Sequence, residues 1–92
     1  MNNLIQQLRK FASERQWEQF HSPKNLTMAI SIEAAELMEH FQWLTEAQSR
    51  ALDEETTAKV AEEIADVQLY LARLADQLGI DPIAAAMAKL QK

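Results

Sequence analysis

Two segments of this sequence carry acidic residues three positions apart, on the side of a helix that should be apolar. The first reads Ile32-Glu33-Ala34-Ala35-Glu36-Leu37 and the second Glu62-Glu63-Ile64-Ala65-Asp66-Val67. Positions i and i+3 share a helix face, so Glu33 projects with Glu36, and Glu63 with Asp66. At 3.6 residues per turn, Leu26, Ile30, Leu37 and Leu44 fall within roughly 60° of Glu33. Val60, Val67, Leu74 and Leu78 fall within a similar arc of about 60° around Glu63, with Tyr70 beside them. Each pair therefore borders the stripe that should face the core. A carboxylate there, if unpaired, costs on the order of several kcal/mol, so such groups are paired, protonated or metal-bound. Two helices with the same arrangement can bring four carboxylates together, which is a donor set for a hard divalent cation. The ordinary reading of a single ExxE is a solvated face. Repetition and the apolar phase separate this chain from that reading.

With one Gly and two Pro in 92 residues and 48% apolar content, the chain favours long helices with few tight turns. No alternating β-branched run of strand length is present. The expectation is an all-α fold, an antiparallel helical bundle of about four main helices, forming one domain over residues 1–92. So small a domain buries a modest fraction of its surface and often gains stability by association. A formal charge of −5 argues against a nucleic-acid polymer as partner, because a phosphate-backbone binder needs a basic face. A small phosphorylated ligand stays compatible, since a bound cation reverses the local sign. The absence of Cys excludes disulfides, zinc-thiolate sites and a Cys nucleophile, and fits a cytoplasmic protein. The N-terminal stretch lacks the apolar region of a signal peptide, and no apolar run approaches membrane-spanning length.

In chain order, a first helix is predicted over about residues 2–19, with Leu4, Ile5, Leu8, Phe11, Ala12 and Trp17 supplying apolar contacts. Ser22 is placed as an N-cap with Pro23 at the first helical position, opening a second helix that runs to about Trp43. Thr45-Glu46-Ala47-Gln48 reads as a capping box on a short turn of helix. Asp53 caps the next helix, which carries Glu63 and Asp66 and ends at Gly79, a suitable residue just past a helix end. Asp81-Pro82 starts a last amphipathic stretch over residues 82–91.

Trp17 and Trp43 lie near helix ends, and Tyr70 follows Asp66 by one turn on the carboxylate side. Aromatics so placed fill space between helices or stack on a ligand ring. His21 sits in a connection, where it can donate to a ligand. Lys24 and Asn25 can serve a phosphate at a helix N-terminus or simply face water. Glu18-Gln19-Phe20-His21 matches the ExxH of di-iron bundles, but only one copy exists and it runs into the Pro23 break. No Gly-rich phosphate loop and no Ser-His-Asp or Cys-His arrangement is present.

Three blocks in order resemble the MazG-like nucleotide pyrophosphohydrolases, in particular their dCTP pyrophosphatase branch. They are Phe11-Ala12-Ser13-Glu14-Arg15-Gln16-Trp17-Glu18-Gln19-Phe20-His21-Ser22-Pro23-Lys24-Asn25-Leu26, then Glu33-Ala34-Ala35-Glu36-Leu37-Met38-Glu39-His40-Phe41-Gln42-Trp43, then Glu62-Glu63-Ile64-Ala65-Asp66-Val67-Gln68-Leu69-Tyr70-Leu71. The likeness extends over about residues 8–89. It implies an all-α, Mg²⁺-dependent enzyme that hydrolyses nucleoside triphosphates to monophosphate and pyrophosphate, in nucleotide house-cleaning or pool control. By position, Glu33, Glu36, Glu63 and Asp66 would hold Mg²⁺, Trp17, His21, Trp43 and Tyr70 would line the pocket for base and sugar, and Lys89 would serve the phosphates. The resemblance further implies a homo-oligomer, a dimer or dimer of dimers, with pockets completed across subunits. Two departures stand out. Leu8 occupies the position of a pocket His in animal members of the branch. The family also continues past the equivalent of Lys89 into an Asn and a basic residue that contact phosphates, whereas this sequence ends at Lys92.

The chemistry so implied is attack of water on the α-phosphorus with loss of pyrophosphate, one of the four acids acting as base. Glu36 is the first candidate, although the sequence does not separate ligand from base. Two other classes fit the residues alone: a non-enzymatic helical module dimerising through its apolar stripes, and a carboxylate-bridged redox metal site. The first predicts indifference to Mg²⁺ and to Glu36→Gln, and the second needs another ExxH that the chain lacks.

Overall fold

Four helices begin where the sequence supplies caps. The computed structural model describes residues 2–15 and 21–92. Among them lie five helices and no strand: α1 (Asn2–Glu14), α2 (Pro23–Glu39), α3 (Glu46–Ser49), α4 (Glu54–Gln77) and α5 (Pro82–Leu90). Ser22 accepts a hydrogen bond from the Asn25 amide and leaves Pro23, which has no N–H, at the head of α2. Thr45 and Gln48 form the reciprocal capping box of α3, at 3.1 and 2.9 Å. Asp53 accepts from the Thr56 amide at 2.7 Å, and Asp81 from the Ile83 and Ala84 amides, so the starts of α4 and α5 lie where expected. At the far end of α4, Gly79 adopts φ +69°. Its amide then reaches the Asp76 carbonyl at 3.1 Å, and the Ile80 amide reaches that of Ala75 at 2.8 Å, a Schellman closure.

Two boundaries differ from expectation. The first helix closes at Glu14, with Arg15 in a turn; residues 16–20, including Trp17, lie outside the described residues. The second helix stops at Glu39 instead of running to about Trp43. The reason is local: the amides of Phe41 and Leu44 bond back three residues, to Met38 and Phe41 at 2.9 Å, so the backbone tightens into turns.

The α2 and α4 helices pack along each other and α1 lies on α4. The α2–α4 pair is antiparallel, because His40 approaches Glu63 at one end while the Gln77 side chain donates to the His21 carbonyl at the other. Ala12, Ala72 and Ala75 are buried, which lets α1 approach α4 closely. Leu26 and Val60 are buried as the apolar phase requires. Leu44 and Leu78 are exposed, at 36% and 53%, because both lie past the last residue of their helices, Leu78 as the C-cap of α4. Many large apolar side chains also face outward: Met28 and Ile32 on α2, Ile64 and Leu71 on α4, Ile83, Met87 and Leu90 on α5.

Arg9 of α1 clamps Asp76 of α4 through both carboxylate oxygens, with Nε donating to Oδ2 at 2.7 Å. That bond holds the Asp76 carboxyl below its ordinary value of 3.8. A depressed folded-state pKa contributes stability that is present above the unfolded value and lost as pH falls through the folded one. Asp76→Asn is therefore expected to melt below the wild type at pH 7, with the gap closing below about pH 4. A gap constant from pH 7 to pH 3 would remove the ionic contribution.

Candidate active site

Antiparallel packing sets the last two turns of α2 opposite the middle of α4, and this brings the acidic segments face to face. Glu33, Glu36 and Glu63, all half-buried, each offer an oxygen within 4.8 Å of the others'. The Glu33 carboxyl is pushed up to about 6, first by burial, then by proton sharing and repulsion with Glu36, and further by the charges of Asp66 and Glu63. Oε2 of Glu33 and Oε2 of Glu63 are buried without a hydrogen-bond partner. Buried acceptors of this kind call for a cation or a donor. His40 Nε2 stands 3.8 Å from Glu63 Oε1 and forms an ion pair with it when protonated. The cluster can hold a metal ion, and its donors are all hard carboxylate oxygens.

Asp66, the fourth acid of the pattern, lies outside that three-residue cluster and lines the adjoining cavity instead. The cavity, of about 360 Å³, runs between α1 and α4. Leu4, Gln7, Leu8 and Phe11 form the α1 side; Asp66, Leu69, Tyr70 and Arg73 form the α4 side; His21 closes it from the connection before α2. The His21 and Tyr70 rings stand 6.0 Å apart at 58°. Burial, followed by the charge of Arg73, lowers the His21 pKa and favours its neutral form.

Of the other residues singled out in the sequence, Trp43 is 86% exposed in the turns after α2 and does not line the cavity. Lys24, in the first turn of α2, and Lys89, in the last turn of α5, are exposed and do not line it either. Trp17 is outside the described residues.

Profile comparison matches residues 28–92, a span that contains both acidic segments, to the MazG-like family. The chain belongs to the MazG-like family. Similar curated proteins include dCTP pyrophosphatase 1 of Rattus norvegicus, 41% identical over 83 residues, and that of Homo sapiens, 40% identical over the same length. In both cases the alignment covers 88% of this chain but 49% of the relative, so the chain spans about half the length of the curated relatives it matches. The crystal structure of a pyrophosphatase from Archaeoglobus fulgidus superposes with a TM-score of 0.92 at 43% identity, covering 99% of this chain and 85% of that one. The MazG-like assignment and the all-α fold thus agree with what the three sequence blocks imply.

Several site residues escape a reading based on the acidic pairs alone. His40 lies four residues after Glu36, and Arg73 lies seven after Asp66 and three after Tyr70, so helical spacing places each on the face of the acids. The signal was there, but a charged residue at such spacing usually meets solvent. Arg73 instead is 7% exposed.

Proposed function

We propose that this MazG-like chain is a nucleoside triphosphate pyrophosphohydrolase, cleaving a (deoxy)nucleoside triphosphate to the monophosphate and pyrophosphate, with Mg²⁺ as its cation and dCTP-like substrates. One observation carries the reading: three carboxylates that can hold a metal adjoin an apolar cavity, and Asp66 belongs to the cavity while its charge acts on the cluster. The names of the relatives, dCTP pyrophosphatase 1 and pyrophosphatase, point the same way.

Glu33, Glu36 and Glu63 would hold the cation, with Asp66 beside them. The two unsatisfied buried oxygens fit that role, and an all-oxygen, acidic donor set suits Mg²⁺ better than a softer metal. Bound there, Mg²⁺ would neutralise phosphate charge and favour ionisation of a bound water. The chain's own part is to place the α-phosphorus beside the acids and to take a proton from the attacking water, with Glu36 as the base. As the new P–O bond forms, the bond to the bridging oxygen breaks and pyrophosphate leaves. His21 and Tyr70, with the apolar walls of α1 and α4, would receive sugar and base. A 360 Å³ cavity is at the small end for ligand sites and suits one nucleotide rather than a polymer. No helix among the described residues is long and apolar enough to cross a membrane, and the lack of Cys fits work in the cytoplasm.

The outward apolar stripes of α2, α4 and α5 and the few fully buried side chains among the described residues support a homo-oligomer, which the family resemblance suggests is a dimer of dimers. Assembly would also bring Trp43, Lys24 and Lys89 to the substrate. Trp43→Ala is expected to raise KM roughly tenfold, as loss of a base-stacking ring does. Stability of the chain should move by no more than about 0.5 kcal/mol, because the ring is 86% exposed. An unchanged KM would remove Trp43 from the site.

The deciding assay is a panel of canonical and modified dNTPs with Mg²⁺, scored for pyrophosphate against orthophosphate. Pyrophosphate with stoichiometric dNMP is expected. Orthophosphate alone would overturn attack at the α-phosphorus.

A further inference from the structure

A buried arginine with an unsatisfied Nε stands in the wall of the cavity. Arg73 is 7% exposed, it lines the cavity wall, and its Nε has no hydrogen-bond partner. Its charge is felt by Asp76, whose two oxygens each accept a hydrogen bond from Arg9. The Arg73 Nε makes no hydrogen bond to that carboxylate. Burying an arginine in this state is costly unless an incoming group completes its hydrogen bonds.

The position of Arg73 says which part of a ligand that group is. Asp66, Leu69, Tyr70 and Arg73 follow helical spacing along one face of α4, with the acid at one end and the guanidinium at the other. Seven residues of helix separate them by about 10 Å. The intervening wall is apolar or aromatic, from Leu69 and Tyr70 with Leu4 and Leu8 opposite. Phosphates belong at the carboxylate end, where a cation can neutralise them. The apolar middle suits the faces of a ring, and the far end then meets the edge of that ring.

We propose that Arg73 is a specificity-determining residue that reads the nucleobase, donating its guanidinium fork to two adjacent acceptors such as O2 and N3 of cytosine. A planar fork matches paired acceptors on a base edge and discriminates against bases that present a donor there. This assignment rests on the nucleotide reading of the cavity and deepens it.

The test compares binding of a nonhydrolysable α,β-methylene dCTP with that of the corresponding abasic deoxyribose triphosphate analogue, by calorimetry in Mg²⁺ on the full chain. Arg73→Met, similar in length but without donors, is expected to weaken the dCTP analogue roughly tenfold to a hundredfold and to leave the abasic analogue unchanged. Arg73→Lys keeps the charge and loses the fork, and should weaken the dCTP analogue by a comparable factor; it also serves where Arg73→Met folds poorly. Equal weakening of both analogues would place Arg73 on the phosphates and overturn the proposal. So would a variant that binds both as the wild type does. A wild type with this base discrimination that released no pyrophosphate from any dNTP would refute the proposed reaction while upholding Arg73 as the base reader.

Discussion

Glu36→Gln is expected to abolish turnover while the fold survives, with kcat reduced by about a hundredfold to ten-thousandfold. Glu36 sits in a cluster where three carboxylates crowd within 4.8 Å and where Glu33 is already pushed up to about 6. Gln is nearly isosteric and removes one of the repelling charges, so the metal-free protein should keep or slightly raise its melting temperature. Glu33 should then ionise at lower pH than in the wild type. The variant also separates two roles that the same residue can play. A metal ligand, when neutralised, weakens Mg²⁺ binding and shifts the metal dependence of the rate. A base lowers kcat at saturating Mg²⁺ with the midpoint unchanged. Near-wild-type turnover in a well-folded Glu36→Gln would exclude both.

Most of the fold was legible because the signals that encode it are local. Ser22-Pro23, Thr45 through Gln48, Asp53, Gly79 and Asp81-Pro82 each place a helix end by satisfying specific amides or carbonyls, and each does so in the structure. The acidic pairs were legible for a related reason. Periodicity fixes which residues share a face, and the facing of Glu33 and Glu36 by Glu63 follows once α2 and α4 are antiparallel. What was not legible depends on contacts between residues distant in sequence. Arg9 pairs with Asp76 across 67 positions, and no spacing rule announces it. The burial of Arg73 with its Nε unsatisfied is likewise a matter of tertiary placement, so the character of the cavity's far end was hidden at the sequence level. The early end of α2 was missed because turn formation at His40–Leu44 competes with a helical pattern that continues to Trp43. Trp43 itself could be weighed only as core or ligand contact, and its exposure removes the first within a single chain.

Mg²⁺ is expected to stabilise the protein by ordinary linkage, since an ion that binds the assembled carboxylates binds the folded state alone. At a hundredfold excess over its dissociation constant the gain is about 2.7 kcal/mol. For a domain of this size that corresponds to a rise in Tm of roughly 10–20 °C. The physical source is the burial of these carboxylates together with the repulsion stored in the metal-free cluster. A Glu33 carboxyl raised above its ordinary 4.5 to about 6 means that the folded protein holds this proton more tightly than the unfolded chain does. Without metal, stability from this group is fully present below about pH 4.5 and declines as pH rises through about 6. Mg²⁺ competes with the proton for the same oxygens, so its stabilising effect should be small at pH 5 and reach its full size above pH 7. Differential scanning calorimetry at pH 5, 6 and 8, with and without millimolar Mg²⁺, measures both trends on one sample. A Tm indifferent to Mg²⁺ at pH 8, with or without a nonhydrolysable nucleotide, would show that Glu33, Glu36 and Glu63 do not form a cation site, and the hydrolytic reading would lose its electrophilic centre.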